Sequence, residues 1–428
     1  MPVISTPEYI SAPQRATPPC PHFGPCGGCQ LQDLTYPAQL ALKAGQLRAS
    51  LAATELALPE LQVHASPPLA YRNRVRFTLG EVDGQLRAGY IRNPAGRAVS
   101  APGIADAAEE SGDSDSVRVE PGFTFLPITQ CPIAAPILWR ATEALLRLLN
   151  GDAGMWLRDS QFKPDQLELF ATADETRLQV TLYVRTAAKS LPARLATAFD
   201  ALCQELHARV PELTGAGVSL LPLLSKQRSR RTEQPRTGPA WGSPGLNYRV
   251  ASRVTQTDYW VPRGAFFQIN RFLLPEMLAL VTNGRSGALA WDLYAGVGLF
   301  SRALARNFSQ VSAVEIAEPA ATALASTGLR NLGVAKATTL DFLRAALVGR
   351  DRPGLIVLDP PRTGAGPEVC GLLARIAAPA LVYVSCSPET LPADLTTLAA
   401  TGYAVAELHL FDLFPQTTHI ETIAILTR

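Results

Sequence analysis

A chain of 428 residues with 47% hydrophobic content is long enough for about two or three globular domains of ordinary composition. A net charge of +2 excludes a generic polyanion binder, so any contact with nucleic acid must come from local patches. There is no apolar run of the roughly 18 residues a membrane helix requires, and the first residues carry no secretory signal, which points to a cytoplasmic protein.

Residues 1–18, rich in Pro, Ser and Thr, read as a disordered leader. The stretch CPHFGPCGGC follows, with Cys20, Cys26 and Cys29 spaced C-x5-C-x2-C and Gly27-Gly28 letting the backbone wrap closely. Seven cysteines in a cytosol-like sequence favour thiol or metal chemistry over disulfides. A [4Fe-4S] cluster needs a fourth thiolate, and Cys131, in the turn ITQCPIAAP, is the best candidate. A structural zinc site completed by His22 or Cys131 is the alternative. A helix is expected near 37–53, then a strand over 71–80. There Arg72, Arg74 and Arg76 share one face, either a phosphate-tracking surface with Tyr71 and Phe77 or a solvated charged face.

Residues 89–99 read as the partner strand, and acidic residues 100–118 as a disordered loop insertion. A helix over 135–150, several strand-like runs and a helix near 191–208 make an α+β domain. The basic segment 226–245 is either an RNA-touching loop or an exposed turn. Together residues 19–250 form one expected domain.

From 251 to 428 strands and helices alternate, the pattern of a parallel sheet. Phe266 and Phe267, in RGAFFQIN, either stack on a ligand or pack in the core. ALAWDLYAGVGLFSRALA reads as strand, turn and helix, with Gly296 and Gly298 admitting a ligand to the strand end. Glu315, after the next strand, is placed to accept from a ribose diol; this suits a dinucleotide or S-adenosylmethionine. GLIVLDPP ends a fourth strand at Asp359, followed by Pro360, Pro361 and Arg362. LVYVSCSPETL ends a fifth with Cys386, either an inert core thiol or a nucleophile. Two final strands, joined at 414–418, complete a seven-stranded methyltransferase-like order. Glu421 lies at the start of the last, as a base or as an edge-strand residue. Cys203 and Cys370 read as ordinary thiols.

With CPHFGPCGGC, YRNRVRF, FFQIN, DLYAGVG, DPPR, SCSPETL and HIE in this order, residues 19–428 resemble the bacterial S-adenosylmethionine-dependent RNA uracil-5-methyltransferases. The resemblance is to the subgroup with an N-terminal iron–sulfur cluster that modifies 23S ribosomal RNA. It implies an α/β fold: a C-terminal seven-stranded Rossmann-like methyltransferase domain and an N-terminal iron–sulfur-containing α+β RNA-binding domain. It further implies that Cys20, Cys26, Cys29 and Cys131 ligate [4Fe-4S]. Gln268, Tyr294, Gly296, Gly298, Glu315, Asp341 and Asp359 would line the methyl-donor site. Cys386 would be the nucleophile and Glu421 the base that removes the C5 proton of a flipped uridine in a single-stranded or loop region of 23S RNA. The protein would be a monomer without a membrane partner.

Three features depart from the family pattern: Ser387 stands where Asn is usual, Leu299 stands where Asn is frequent, and the residues before Cys20 are too few for the β-barrel of many relatives. The proposed chemistry needs a thiolate, and a helix start after Cys386 is expected to lower its pKa. The competing readings are a tRNA uracil-5-methyltransferase, an RNA cytosine-5-methyltransferase, against which the absence of cysteine in DPPR counts, and a noncatalytic RNA-binding assembly factor.

Overall fold

The computed structural model describes residues 14–92, 98–99, 124–152, 154, 162–188, 190–222, 235–251 and 256–428. Most of the expected leader, the 100–118 insertion and residues 226–234 of the basic segment lie outside the described residues.

The chain begins with α1 (Tyr36–Ala52) and β1 (Leu61–His64). The first large sheet uses β2 (Arg74–Val82), β3 (Gln85–Arg92), β4 (Ala98–Val99), β5 (Thr124–Pro127), β6 (Pro164–Ala171), β7 (Leu178–Arg185), β8 (Leu213–Leu221) and β9 (Arg236–Gly242). Its order is β4-β3-β2-β6-β7-β8-β9, with β5 also beside β3. The helices α2 (Pro136–Asn150) and α3 (Ala193–Arg209) pack on it. In α2 a proline opens the helix where no amide bond is lost. Ile137, Leu138, Ala141, Leu145 and Leu148 recur at helical spacing and are buried. A hairpin, β10 (Gly245–Ala251) and β11 (Gln256–Pro262), leads to the second sheet.

That sheet follows α4 (Leu274–Thr282). Its elements are β12 (Gly287–Leu293), α5 (Ser301–Leu304), β13 (Phe308–Val314), α6 (Glu318–Ala325), β14 (Leu332–Ala335), α7 (Thr339–Gly349) and β15 (Leu355–Leu358). After these come α8 (Gly366–Ile376), β16 (Ala380–Ser385), α9 (Leu391–Ala399), β17 (Ala404–Phe411) and β18 (Glu421–Thr427). The order is β1-β17-β18-β16-β15-β12-β13-β14. Neighbours from β14 to β16 are parallel, and β18 runs antiparallel between β16 and β17. The expected seven strands are therefore joined by an eighth: β1 pairs in parallel with β17 and covers an otherwise open edge. Leu61 and Val63 of β1 and Leu40, Ala44, Leu47 and Leu51 of α1 enter the same core as Trp291, Leu358 and Tyr383. A four-residue strand of sequence LQVH is too short to show alternation, which hides it from a pattern reading.

Neither reading of the arginine strand holds. β2 begins at Arg74, and on the arginine face Glu168 and Phe170 of the neighbouring strand β6 and the carbonyl of Ala265 take up the guanidiniums. Arg74 is buried, donates to Ala265 O at 2.7 Å and lies over the Phe170 ring at 4.0 Å. Arg76 donates to Glu168 at 2.7 Å and to the Tyr183 hydroxyl at 2.6 Å. Alternation correctly puts these side chains on one face, but it cannot tell that the face is packed rather than wet.

Lys43 of α1 donates to Asp412 at 2.6 Å, and both side chains are fully buried. Removing one partner strands a buried charge. Lys43→Met should therefore lower the unfolding free energy by about 3–5 kcal/mol in denaturant titrations, whereas the double replacement Lys43→Met with Asp412→Leu should recover most of it.

Candidate active site

The carboxyl ends of β12, β13, β15 and β16 converge with the start of β18. After β12 the chain turns sharply. Tyr294 adopts φ +62°, Gly296 +56° and Gly298 +87°. At φ +87° the Gly298 backbone is one that L side chains rarely adopt, and a Cβ there would also have to displace the Leu324 methyl 2.3 Å away. A Cβ on Gly296 would meet nothing within 4 Å, leaving open space for a ligand to approach the backbone. Tyr294, with its Cβ, is held in a conformation that ordinarily costs ~1–3 kcal/mol. Glu315, just past β13, accepts from the Gly296 amide at 2.8 Å and the Ala317 amide at 2.6 Å, so it braces the turn.

Asp292, within β12, had no role in the sequence reading. It is 1% exposed and accepts from both the amide and the hydroxyl of Ser301, the amide at 2.7 Å. Its Oδ1 is buried with no partner among the described residues. Burial pushes this carboxyl up to about 7 against the pull of the Ser301 hydrogen bonds. The available signal was an acid inside the apolar run ALAWDL, where no strand neighbour can satisfy it. Asp359, at the end of β15 and largely enclosed, is also pushed up to about 7, by burial and then by Asp292.

Cys386 follows the last residue of β16, and its thiol is partly exposed. Glu421 opens β18 and is 3% exposed. The pairing of Ser385 with Thr422 sets the two side by side one step beyond the ladder. Burial, then Glu421 and Asp359, push the Cys386 thiol up to about 12 against the pull of Arg362. The lowered thiol pKa expected from the helix start is therefore not found. α9 begins only at Leu391, and burial and two nearby carboxyls raise the thiol. Glu421 is itself raised well above the carboxylate range by burial and Asp359, again opposed by Arg362. Arg362 lies 3.4 Å from His419 and, like Asp292, was quoted in a motif without a role. Ser387 takes up the turn: its hydroxyl donates to Glu389 at 2.9 Å and accepts from the Thr390 amide at 3.3 Å.

Gln268 is buried, its backbone carbonyl accepting from Asn73 at 3.2 Å. Phe267 is core, packed on Tyr248 and Tyr259, while Phe266 is 37% exposed. Asp341 is exposed in the first turn of α7, where its carboxylate accepts from the Thr338 hydroxyl at 2.7 Å and Thr338 caps the Asp341 amide. Cys203 and Cys370 are buried.

The N-terminal thiols lie apart from this cleft. Cys26 N donates to His22 O at 2.8 Å, folding the loop, and His22 Nε2 accepts from the Thr129 amide at 2.9 Å. That bond brings the Cys20–Cys29 loop to the turn carrying Cys131 and commits Nε2 to the backbone. Burial, followed by Cys29 as the nearest charge, pushes Cys131 up to about 12. Burial also pushes Cys29 up to about 11, with Cys26 and Cys20 adding to the rise. The four thiols are thus electrostatic neighbours. However, among the described residues no three His, Cys, Asp or Glu side chains stand in a metal-holding arrangement. No described helix is long and apolar enough to cross a membrane.

A parallel sheet with a glycine turn, an acid after the second strand, and a thiol facing a carboxylate define an α/β methyltransferase site. Residues 247–428 match the tRNA (uracil-5-)-methyltransferase family. An uncharacterized RNA methyltransferase of Synechocystis is 30% identical over 96% of this chain and 82% of its own length. The 23S rRNA (uracil(1939)-C(5))-methyltransferase RlmD of Halomonas elongata is 28% identical over 98% of this chain and 78% of its own. The Pyrococcus abyssi tRNA (uracil-54, C5)-methyltransferase, solved with S-adenosyl-L-homocysteine, shares the fold with a TM-score of 0.64. It is 21% identical, and the match covers 94% of this chain and 86% of that one. The chain belongs to the S-adenosylmethionine-dependent RNA uracil-5-methyltransferase family.

A thiol held this high reacts in proportion to its small thiolate fraction. Alkylation of Cys386 by iodoacetamide should rise roughly tenfold per pH unit from pH 7 to 9. Glu421→Gln should raise the rate at each pH by removing a carboxylate. Mass spectrometry of the Cys386 peptide measures both, and a plateau by pH 8 would show that the thiolate is already formed.

Proposed function

We propose that this methyltransferase acts on C5 of a uridine in 23S ribosomal RNA, with Cys386 as nucleophile and Glu421 as the base. The observation that carries the reading is the facing pair at the ends of β16 and β18, flanked by Asp359 and Arg362. C5 of uracil is a weak nucleophile. When the Cys386 sulfur, having lost its proton to solvent at its partly exposed side, adds to C6, the C5–C6 π electrons move into an enolate and C5 becomes able to attack. S-adenosylmethionine, when bound, supplies the electrophilic methyl group. Glu421, within reach of C5, then takes the C5 proton. The electrons of that C–H bond restore the C5–C6 double bond and expel the thiolate. C5 and C6 are hindered in a stacked helix, so the target base must be flipped out; a single-stranded or loop uridine costs least to extrude.

Gly296, Gly298 and Glu315 shape the donor side, with Tyr294, Gln268, Asp341 and Asp359 around it. An acidic cleft suits a cationic donor. The 23S assignment is supported by the likeness to the Halomonas RlmD over nearly the whole chain.

Cys20, Cys26, Cys29 and Cys131 would hold a [4Fe-4S] cluster with a structural role. Support comes from the four cysteines lying on two distant segments that the bond from the Thr129 amide to His22 brings together. Protein purified without oxygen should contain iron and labile sulfide and absorb visible light, and Cys131→Ser should lose both; a colourless zinc protein would overturn the cluster.

RNA carrying 5-fluorouridine should form a denaturation-resistant adduct with the wild type and none with Cys386→Ala, because fluorine cannot leave as a proton does. Adducts with 23S RNA but not with tRNA are expected, and the reverse would move the substrate to tRNA. Mapping of 5-methyluridine by mass spectrometry in cells with and without the gene identifies the position.

A further inference from the structure

The loop between β17 and β18, residues 412–420, delivers Glu421 to the cleft. Consecutive carbonyls of this loop are held from outside the catalytic strands. Asn270 donates to Leu413 O at 3.0 Å, Lys43 to Phe414 O at 2.9 Å, and the Tyr71 hydroxyl to Pro415 O at 3.0 Å. The carbonyl of Gln416 accepts from the amides of Gln30 and Leu31 at 2.9 and 3.0 Å, and Gln30 directly follows Cys29. Gln416 forms a reciprocal pair with Gln39 of α1, accepting through its side chain and donating through its backbone amide. Gln39 Nε2 donates to Gln416 Oε1 at 2.9 Å, and the Gln416 amide donates to Gln39 Oε1 at 3.0 Å. Gln416 is 6% exposed and sits at φ +70°, a left-handed conformation that a non-glycine residue keeps only when its surroundings over-determine it.

Cys386 is set by other means: the end of β16 and the turn in which the hydroxyl of Ser385 and the backbone of Ser387 bond to each other. Beyond the β16–β18 ladder that they share, the two reacting groups therefore have separate supports. We infer that Gln416 is a positioning residue for Glu421, and that Gln30, Leu31, Gln39 and Lys43 form a splint through which the N-terminal segment controls proton removal from C5 but not addition of the thiol to C6. This rests on the reading of Glu421 as base. In the affected step the carboxylate takes the C5 proton, the freed pair forms the C5–C6 double bond, and the C6–S bond breaks to release the thiolate.

The test uses the full chain with S-adenosylmethionine and an RNA transcript of the kind that gives the 5-fluorouridine adduct, labelled with tritium at uridine C5. Gln416→Gly removes the side-chain tether while accepting the positive φ, and Gln39→Ala breaks the same pair from the other side. Both variants should form the 5-fluorouridine adduct at the wild-type rate. They should release tritium about 10- to 100-fold more slowly and accumulate a covalent complex with ordinary uridine RNA. Unchanged tritium release, or a parallel fall in adduct formation and tritium release, overturns the splint. Glu421→Gln separates the two failures. If it stalls tritium release while the splint variants do not, the inference alone falls; if it releases tritium normally, the base assignment falls and takes the inference with it.

Discussion

The insertion of β18 between β16 and β17, antiparallel to both, is the constraint on which the reacting end depends. A parallel strand would bring its last residue to this edge of the sheet. An antiparallel one brings its first, so a carboxylate at the opening of β18 meets a thiol just past the close of β16. The ladder fixes this relation to within one residue, since a slip by one would turn Glu421 to the other face. The remaining parts of the cleft, the glycine turn after β12 and the acids at the ends of β13 and β15, come from the parallel half of the same sheet, where strand ends collect ligands.

The charges gathered there oppose one another. Asp292 and Asp359 titrate near 7, Glu421 higher than an ordinary carboxyl, and Cys386 near 12, each raised first by burial. A carboxyl whose folded pKa lies above its unfolded one stabilises the fold fully below the unfolded value, and that contribution is lost as pH rises through the folded value. For Asp292 and Asp359 the loss spans about pH 4 to 7, so these two carboxyls cost the fold stability at neutral pH. Arg362 is the nearby guanidinium that opposes the rise at Cys386 and Glu421. A cation seated among these acids would favour the ionised forms of the carboxyls and of the thiol.

Legibility from the sequence followed locality. The glycine turn, the acid after β13 and the break at Ser385–Pro388 each announce themselves within a few residues, and the structure puts them at strand ends as read. The arginines of YRNRVRF were placed on one face correctly, but whether that face is wet depends on Glu168, Tyr183 and Phe170, which lie about a hundred residues away. The raised pKa of Cys386 arises first from burial and then from Glu421 and Asp359, again set by residues distant in sequence. Strand β1 escaped because four residues cannot establish a period. Gln416 escaped because its left-handed backbone is imposed by Gln39 and by the residues after Cys29, not by any turn signal of its own.

The seam between the N-terminal segment and the loop 412–420 is polar where an apolar seam would be simpler. A buried pair such as Lys43 and Asp412 gains little over well-packed hydrophobic residues, because desolvation consumes most of the attraction. What directional bonds add is position. Apolar side chains tolerate a slide of an ångström, but donors to the carbonyls of Leu413, Phe414, Pro415 and Gln416 do not, since a buried carbonyl that loses its donor costs about 1–3 kcal/mol. A carboxylate that must reach one proton on one carbon needs that kind of constraint more than it needs stability. The thiol loop from Cys20 to Cys29 runs directly into Gln30 and Leu31, so the order of that loop and the position of Glu421 are joined through two backbone hydrogen bonds.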